Sequence, residues 1–102
     1  MTGKWTLGTQ AMFAAEGEIL ESDVKQLITR MTSGDLTHIA EVYIDLNSAS
    51  YISPLAVSLL YIKYTMLTAN NRRLVFLNPN NVSSAMLRLF GANYVFPVLS
   101  GM

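Results

Sequence analysis

The chain has 102 residues, 51% of them hydrophobic and only 14% charged, and its seven basic and seven acidic side chains cancel. That length allows one domain built on a single core, and the zero net charge excludes attraction to nucleic acid or to an acidic membrane surface through an overall field. The absence of cysteine excludes disulfides, thiol chemistry and zinc–sulfur sites. Because the charged share falls below the ordinary value of about 25%, apolar surface is left over for a partner or a second copy to cover. The start, Met1-Thr2-Gly3-Lys4-Trp5, lacks a signal peptide's apolar run and cleavage site. No apolar run is long enough to span a bilayer, so a cytoplasmic protein without membrane insertion is expected.

Lys4 to Leu7 predicts a first strand, Gly8-Thr9-Gln10 a turn, and Ala11 to Glu16 an antiparallel return. Trp5 and Phe13 are expected in the core or on the hairpin face. Ser22 is the expected cap of a helix, with Asp23 at the positive end of its dipole. Val24, Leu27, Ile28 and Met31 form its apolar stripe, and Gly34 stops it. Glu16, Glu18, Glu21 and Asp23 make the only acidic cluster. With no His or Cys nearby and no calcium-loop spacing, it reads as a solvated helix start, and no metal is expected. Thr37-His38-Ile39-Ala40 leads into the central strand, and His38, the single histidine, reads as a surface residue.

Val42 to Leu46 is β-branched and aromatic, which predicts a strand. Ser53-Pro54 predicts the start of a helix: the hydroxyl can accept an orphan N–H, while Pro has none to lose and already holds a helical φ. This helix is expected to run to about Ala69. Leu55, Leu59, Ile62 and Met66 make a stripe that Ala56, Leu60 and Leu67 widen beyond what a half-buried helix needs, while Tyr61, Lys63 and Tyr64 face elsewhere. Such a surplus fits either a helix packed under its own aromatic rings or a partner surface. Asn70-Asn71 can take the left-handed conformation that ends a helix, and Arg72-Arg73 adds charge near its negative end. Leu74 to Leu77 is a strand covered on both faces. After the turn at Asn78-Pro79, Asn81 is the expected cap of a helix carrying Val82, Met86, Leu89 and Phe90 on one side. Gly91 ends it, and Tyr94 to Val98 forms an edge strand that tolerates Pro97. Two strands followed by helix, strand, helix, strand, helix, strand predict an α/β domain over residues 1–102. Its sheet is mixed and mostly parallel with an N-terminal antiparallel strand, and helices pack on it.

Several of these segments resemble the STAS domain, the fold of bacterial anti-sigma factor antagonists. In that family a strand ending in Asp-Leu precedes Ile-Asp-Ser-Ser-Gly-Leu-Gly-Val-Leu-Leu, whose first Ser is phosphorylated. Asp45-Leu46 fits the first part, and Ile52-Ser53-Pro54-Leu55-Ala56-Val57-Ser58-Leu59-Leu60-Tyr61 fits the second, with small Ala56 and Ser58 at the two glycines. Asn71 to Leu77, Val82 to Phe90 with Gly91, and Val95-Phe96-Pro97-Val98 resemble the family's fourth strand, last helix and closing strand. In this register Ser53 replaces the family's Asp, and Pro54, which has no hydroxyl, replaces the phosphoacceptor. Shifting by one puts Ser53 on the acceptor but Leu55 and Val57 on the glycines, so Ser53 remains only a residual phosphorylation candidate. Gly17-Glu18-Ile19-Leu20 resembles the family's Gly-x-Leu-Asp, with Leu20 in place of the acid.

The resemblance implies a non-catalytic regulatory module that takes part in signalling and transcription control by partner switching and carries no cofactor. It would dock on an anti-sigma factor or serine kinase through a loop at residues 49–54 and the following helix, with Ser50, Tyr51, Ser53, Pro54, Leu55, Ala56 and Ser58 as the contact set. The alternative is a homodimeric or accessory subunit of a larger assembly such as a transporter complex. A small-molecule sensor built on Trp5, Phe13 and the tyrosines is a third reading, which no spacing supports.

Overall fold

The computed structural model describes residues 2–101 and contains the expected elements in the expected order. Strands β1 (Thr2–Leu7) and β2 (Ala11–Ile19) form the antiparallel hairpin. Helix α1 (Glu21–Thr32) leads to β3 (Glu41–Ile52), followed by α2 (Pro54–Ile62), α3 (Tyr64–Thr68), β4 (Arg73–Leu77), α4 (Asn81–Leu89) and β5 (Val98–Leu99). The sheet order is β1-β2-β3-β4-β5, with every pair after the first parallel. Each parallel connection steps one strand further in the same direction, so right-handed crossovers put all the helices on one face. There Val24 and Leu27 of α1, Leu60 of α2 and Leu87 of α4 meet over Ile44 and Phe76. Leu74 to Leu77 are all buried, as the apolar run predicts.

Local chemistry explains where elements begin and end. Helix α1 starts before the expected cap Ser22: Leu20 is the cap residue, and its N–H donates to Asp23 Oδ2 at 2.7 Å. Asp23 therefore ties the helix start down from inside the first turn, half of a capping box. At Gly34 a Cβ would lie 2.8 Å from Arg30 Cα, so the chain can double back there only without a side chain. Gly91 takes the left-handed conformation after α4 (φ 72°), as do Asn70 and Asn71 before β4 (φ 60° and 62°).

Arg72 does something different from what its position suggests. Its guanidinium donates to the carbonyls of Met31 (2.6 Å), Leu36 (2.8 Å) and Ile39 (3.1 Å), closing the end of α1 and the connection that follows rather than the end of its own helix. Burial there lowers the affinity of the guanidinium for its proton. Arg73 instead pairs with Glu41 at 3.0 Å on the neighbouring strand.

Besides the cap of α1, four further expectations need correction. The helix over residues 54–69 is two helices, because the backbone leaves helical geometry at Lys63 (φ −100°, ψ 10°). The cap of α4 is Asn80, one residue earlier than Asn81, and its side chain accepts from the Ser83 N–H. The last strand is only Val98–Leu99; Ala92–Tyr94 forms a 3₁₀ turn, and Pro97 contributes its carbonyl to the Phe76 N–H. Finally, β3 continues to Ile52, so residues 49–52 are strand and not loop.

Candidate functional site

The site lies where β3 passes into α2. Residues 47–50, Asn-Ser-Ala-Ser, have poor strand chemistry, yet Ser48 and Ala49 remain paired with β2. The pairing Ala14↔Asp45, Glu16↔Ser48 and then Gly17↔Ala49, Glu18↔Tyr51 shows β3 taking one extra residue at each of two bulges. On the other side β4 stops pairing at Asp45↔Leu77. The carbonyls beyond that point are met by one side chain: Asn80 Nδ2 donates to Leu46, Asn47 and Ala49 at 3.2, 3.1 and 2.6 Å. Asp45 Oδ1 also accepts the Asn47 N–H at 2.9 Å. A strand of weak propensity thereby keeps its carbonyls satisfied beyond the end of β4.

Ser53 is the only residue between β3 and α2. Its N–H donates to the Ile19 carbonyl at 2.9 Å, and its Oγ accepts the Ala56 N–H at 3.0 Å, the expected cap above a first-position proline. Pro54 and Leu55 then face outward together with Ser58 and Ser50, while Tyr51 and Ser53 are half-buried. Ala56 is different. It is fully buried with Val57 and Leu60, so its side chain cannot belong to a contact surface. The remaining six residues of the expected set lie along one short stretch, and it carries no charge.

The outward stripes were misassigned from the sequence. The stripe Leu55, Leu59, Ile62, Met66 is not the core face: Leu55 and Ile62 on α2 and Met66 on α3 are exposed, Leu59 is half-buried, and α2 buries Ala56, Val57 and Leu60. A helix apolar all round has no periodicity to say which side faces in. On α4, Val82, Leu89 and Phe90 are exposed, and the buried positions are Ser83 and Leu87. Ser83 can be buried because its hydroxyl donates to Asn80 Oδ1 at 3.1 Å. The signal that could have found this is the Asn-x-x-Ser spacing, in which the cap dictates that the third residue turns inward.

The other candidates are dispersed. Glu16 and Glu18 are exposed on β2, Glu21 pairs with Lys25 at 3.2 Å and Asp23 ties the start of α1. Among the described residues no group of three His, Cys, Asp or Glu side chains could hold a metal ion. His38 is exposed. Trp5 packs against Phe13 with the rings tilted 47° to each other (centroids 5.0 Å apart) and is covered by the Arg30 guanidinium at 4.2 Å, and Arg30 is itself held by Asp35, as expected of a hairpin-face ring. Among the described residues no helix is long and apolar enough to cross a membrane.

No family model and no curated protein matches the sequence. Solved structures do match. A Thermotoga maritima protein described as a candidate anti-sigma factor antagonist is similar with a TM-score of 0.75 at 8% identity, over 95% of this chain and 85% of that one. The anti-sigma factor antagonist SpoIIAA in its unphosphorylated form is similar with a TM-score of 0.69 at 16% identity, over 96% of this chain and 86% of that one. A larger protein, Mglu, shares the fold over 78% of this chain and 20% of its own, with a TM-score of 0.60 at 20% identity. At these identities the likeness is one of backbone, and with the mixed five-stranded sheet and its one-sided helices it establishes that this chain has the STAS fold.

Proposed function

We propose that this STAS-fold chain is a non-catalytic regulatory module that docks on a protein partner, an anti-sigma factor or a serine kinase, through Ser50 to Ser58 without a serine switch. The observation that carries this reading is the start of α2. Leu55 is exposed on an uncharged first turn directly at the end of a strand braced by Asn80. An exposed apolar side chain on a rigid support offers area that a docking partner would remove from water. In the register given by the resemblance the acceptor position is Pro54, and the neighbouring Ser53 hydroxyl is already engaged by the Ala56 N–H. Docking is therefore constitutive, or controlled by something other than phosphate at this helix start.

Affinity capture with the wild-type chain and with Leu55→Glu tests the proposal. A charge at 55 is expected to release a kinase-like partner that the wild type retains, with an unchanged thermal melt because this side chain is already exposed. A partner retained equally by both would end the docking reading. Incubation with serine kinases that label a control substrate is expected to leave the Ser53 peptide unmodified by mass spectrometry.

A further inference from the structure

Of the four arginines in the sequence, three are engaged: Arg30 by Asp35, Arg72 by the carbonyls that close α1, and Arg73 by Glu41. Arg88 is the exception. It is exposed on α4, and among the described residues no hydrogen bond, ion pair or ring contact engages its side chain. The guanidinium lines a cleft of about 290 Å³ between α4 and β5. The cleft stays open because β5 is the last strand, and no element among the described residues follows it to cover that flank of α4.

The other polar groups of the cleft are donors too. Ser84 stands one turn before Arg88 on the same face of α4. Ser100 follows β5, and Asn93 belongs to the 3₁₀ turn after α4. Their side chains are likewise unengaged among the described residues. Pro79 and Ser100 put one end of the cleft just past the carboxyl ends of β4 and β5, where parallel sheets ordinarily receive their ligands. The rest of the lining, Pro79, Leu87 and Val98, is apolar.

This chemistry selects the occupant. No acidic side chain follows Asp45 in the sequence, so the cleft itself supplies no carboxylate to neutralise Arg88. A guanidinium fork with two hydroxyls and an amide beside it suits an oxyanion. Four donor side chains are more than the two oxygens of a carboxylate can use well, and they match the three terminal oxygens of a phosphate ester. The volume lies at the lower end of the range for small-ligand sites, about 300–1,000 Å³, which admits one small molecule and no polymer.

We propose that this cleft binds a small phosphomonoester, with Arg88 as the charged anchor of its phosphate, Ser84, Asn93 and Ser100 as further donors, and the apolar lining against its carbon skeleton. None of residues 50–58 lines the cleft, so the site stands apart from the docking surface proposed above.

Titration of the full chain, followed by amide NMR at constant ionic strength set with sodium chloride, is the test. The probes are glycerol phosphate, inorganic phosphate and glycerate. Glycerol phosphate should give saturable shifts confined to the surroundings of Ser84, Arg88, Asn93 and Ser100, with a Kd in the millimolar range and weaker binding of the other two. Arg88→Gln should weaken that binding about tenfold or more, and Asn93→Asp, which places a carboxylate in the cleft, should do the same. Both positions are exposed, so the melting temperature should stay unchanged. Shifts that sodium chloride alone reproduces, glycerate or inorganic phosphate binding as tightly as glycerol phosphate, or binding that Arg88→Gln leaves intact would each overturn the proposal.

Discussion

Asn80 offers the sharpest test of how the site is built, because its two amide atoms do separable jobs. Oδ1 caps α4 through the Ser83 N–H at 3.0 Å, and Nδ2 braces the carbonyls of Leu46, Asn47 and Ala49. Asn80→Asp keeps the cap, since a carboxylate accepts as well as an amide oxygen, but it turns an acceptor toward three acceptors. Two donor hydrogens are shared among those carbonyls, each bond contributing about 0.5–1.5 kcal/mol net, and stranding partly buried acceptors adds about 1–3 kcal/mol. The expected loss is therefore about 2–4 kcal/mol, and Asn80→Ala should lose about 1 kcal/mol more because the cap goes too. For a domain of this size the first variant should melt on the order of 10–20 °C lower. Urea denaturation gives the free energy, and hydrogen exchange should show protection lost over residues 46–52 before the rest of β3. The deficit at pH 7 should narrow below about pH 4, where a protonated carboxyl regains one donor. Asn80→Asp melting within a degree or two of the wild type at neutral pH would refute the idea that this side chain holds the strand.

Two further outcomes follow from the polar contacts. Arg72→Lys keeps the charge but not the fork that reaches Met31, Leu36 and Ile39, and should cost about 2–3 kcal/mol in urea denaturation; a loss below about 0.5 kcal/mol would mean those carbonyls are satisfied without it. The Glu41 carboxylate is held below the usual range first by the Tyr43 hydroxyl, then by the Gln10 amide, with Arg73 adding to it. A depressed folded-state value stabilises the fold above the unfolded-state pKa, and that stabilisation is lost as pH falls through the folded-state pKa. Stability should therefore decline from the ordinary carboxylate range downward, and Glu41→Gln should make the acid limb shallower; parallel limbs for the two proteins would count against the linkage.

What could be read from the sequence was chemistry confined to a few adjacent residues. Ser53-Pro54 announces a helix start, Gly91 and the Asn70-Asn71 pair announce left-handed backbone, and the run Leu74 to Leu77 announces a strand covered on both sides. The illegible features depend on residues far apart in the chain. Nothing in Asn47-Ser48-Ala49-Ser50 suggests a strand; the segment is one because Asn80, some thirty residues later, supplies the missing donors. The orientation of α2 is a property of its packing, concealed by apolar residues on every side, and that of α4 is concealed because its inward face includes Ser83, which the Asn80 cap allows to be buried. In the same way Arg72 closes a helix that ends forty residues earlier.

The two margins of the sheet are unequal. On one side it finishes with the two residues of β5, directly after Pro97, leaving almost no ladder for another strand to join. On the other it finishes with the six residues of β1, whose outer N–H and C=O groups form a usable template with Lys4 near the middle as a charged guard. Strand addition, whether by a binding peptide or in aggregation of partly unfolded chains, therefore has a single direction open to it, and neutralising Lys4 is the change that would open it wider.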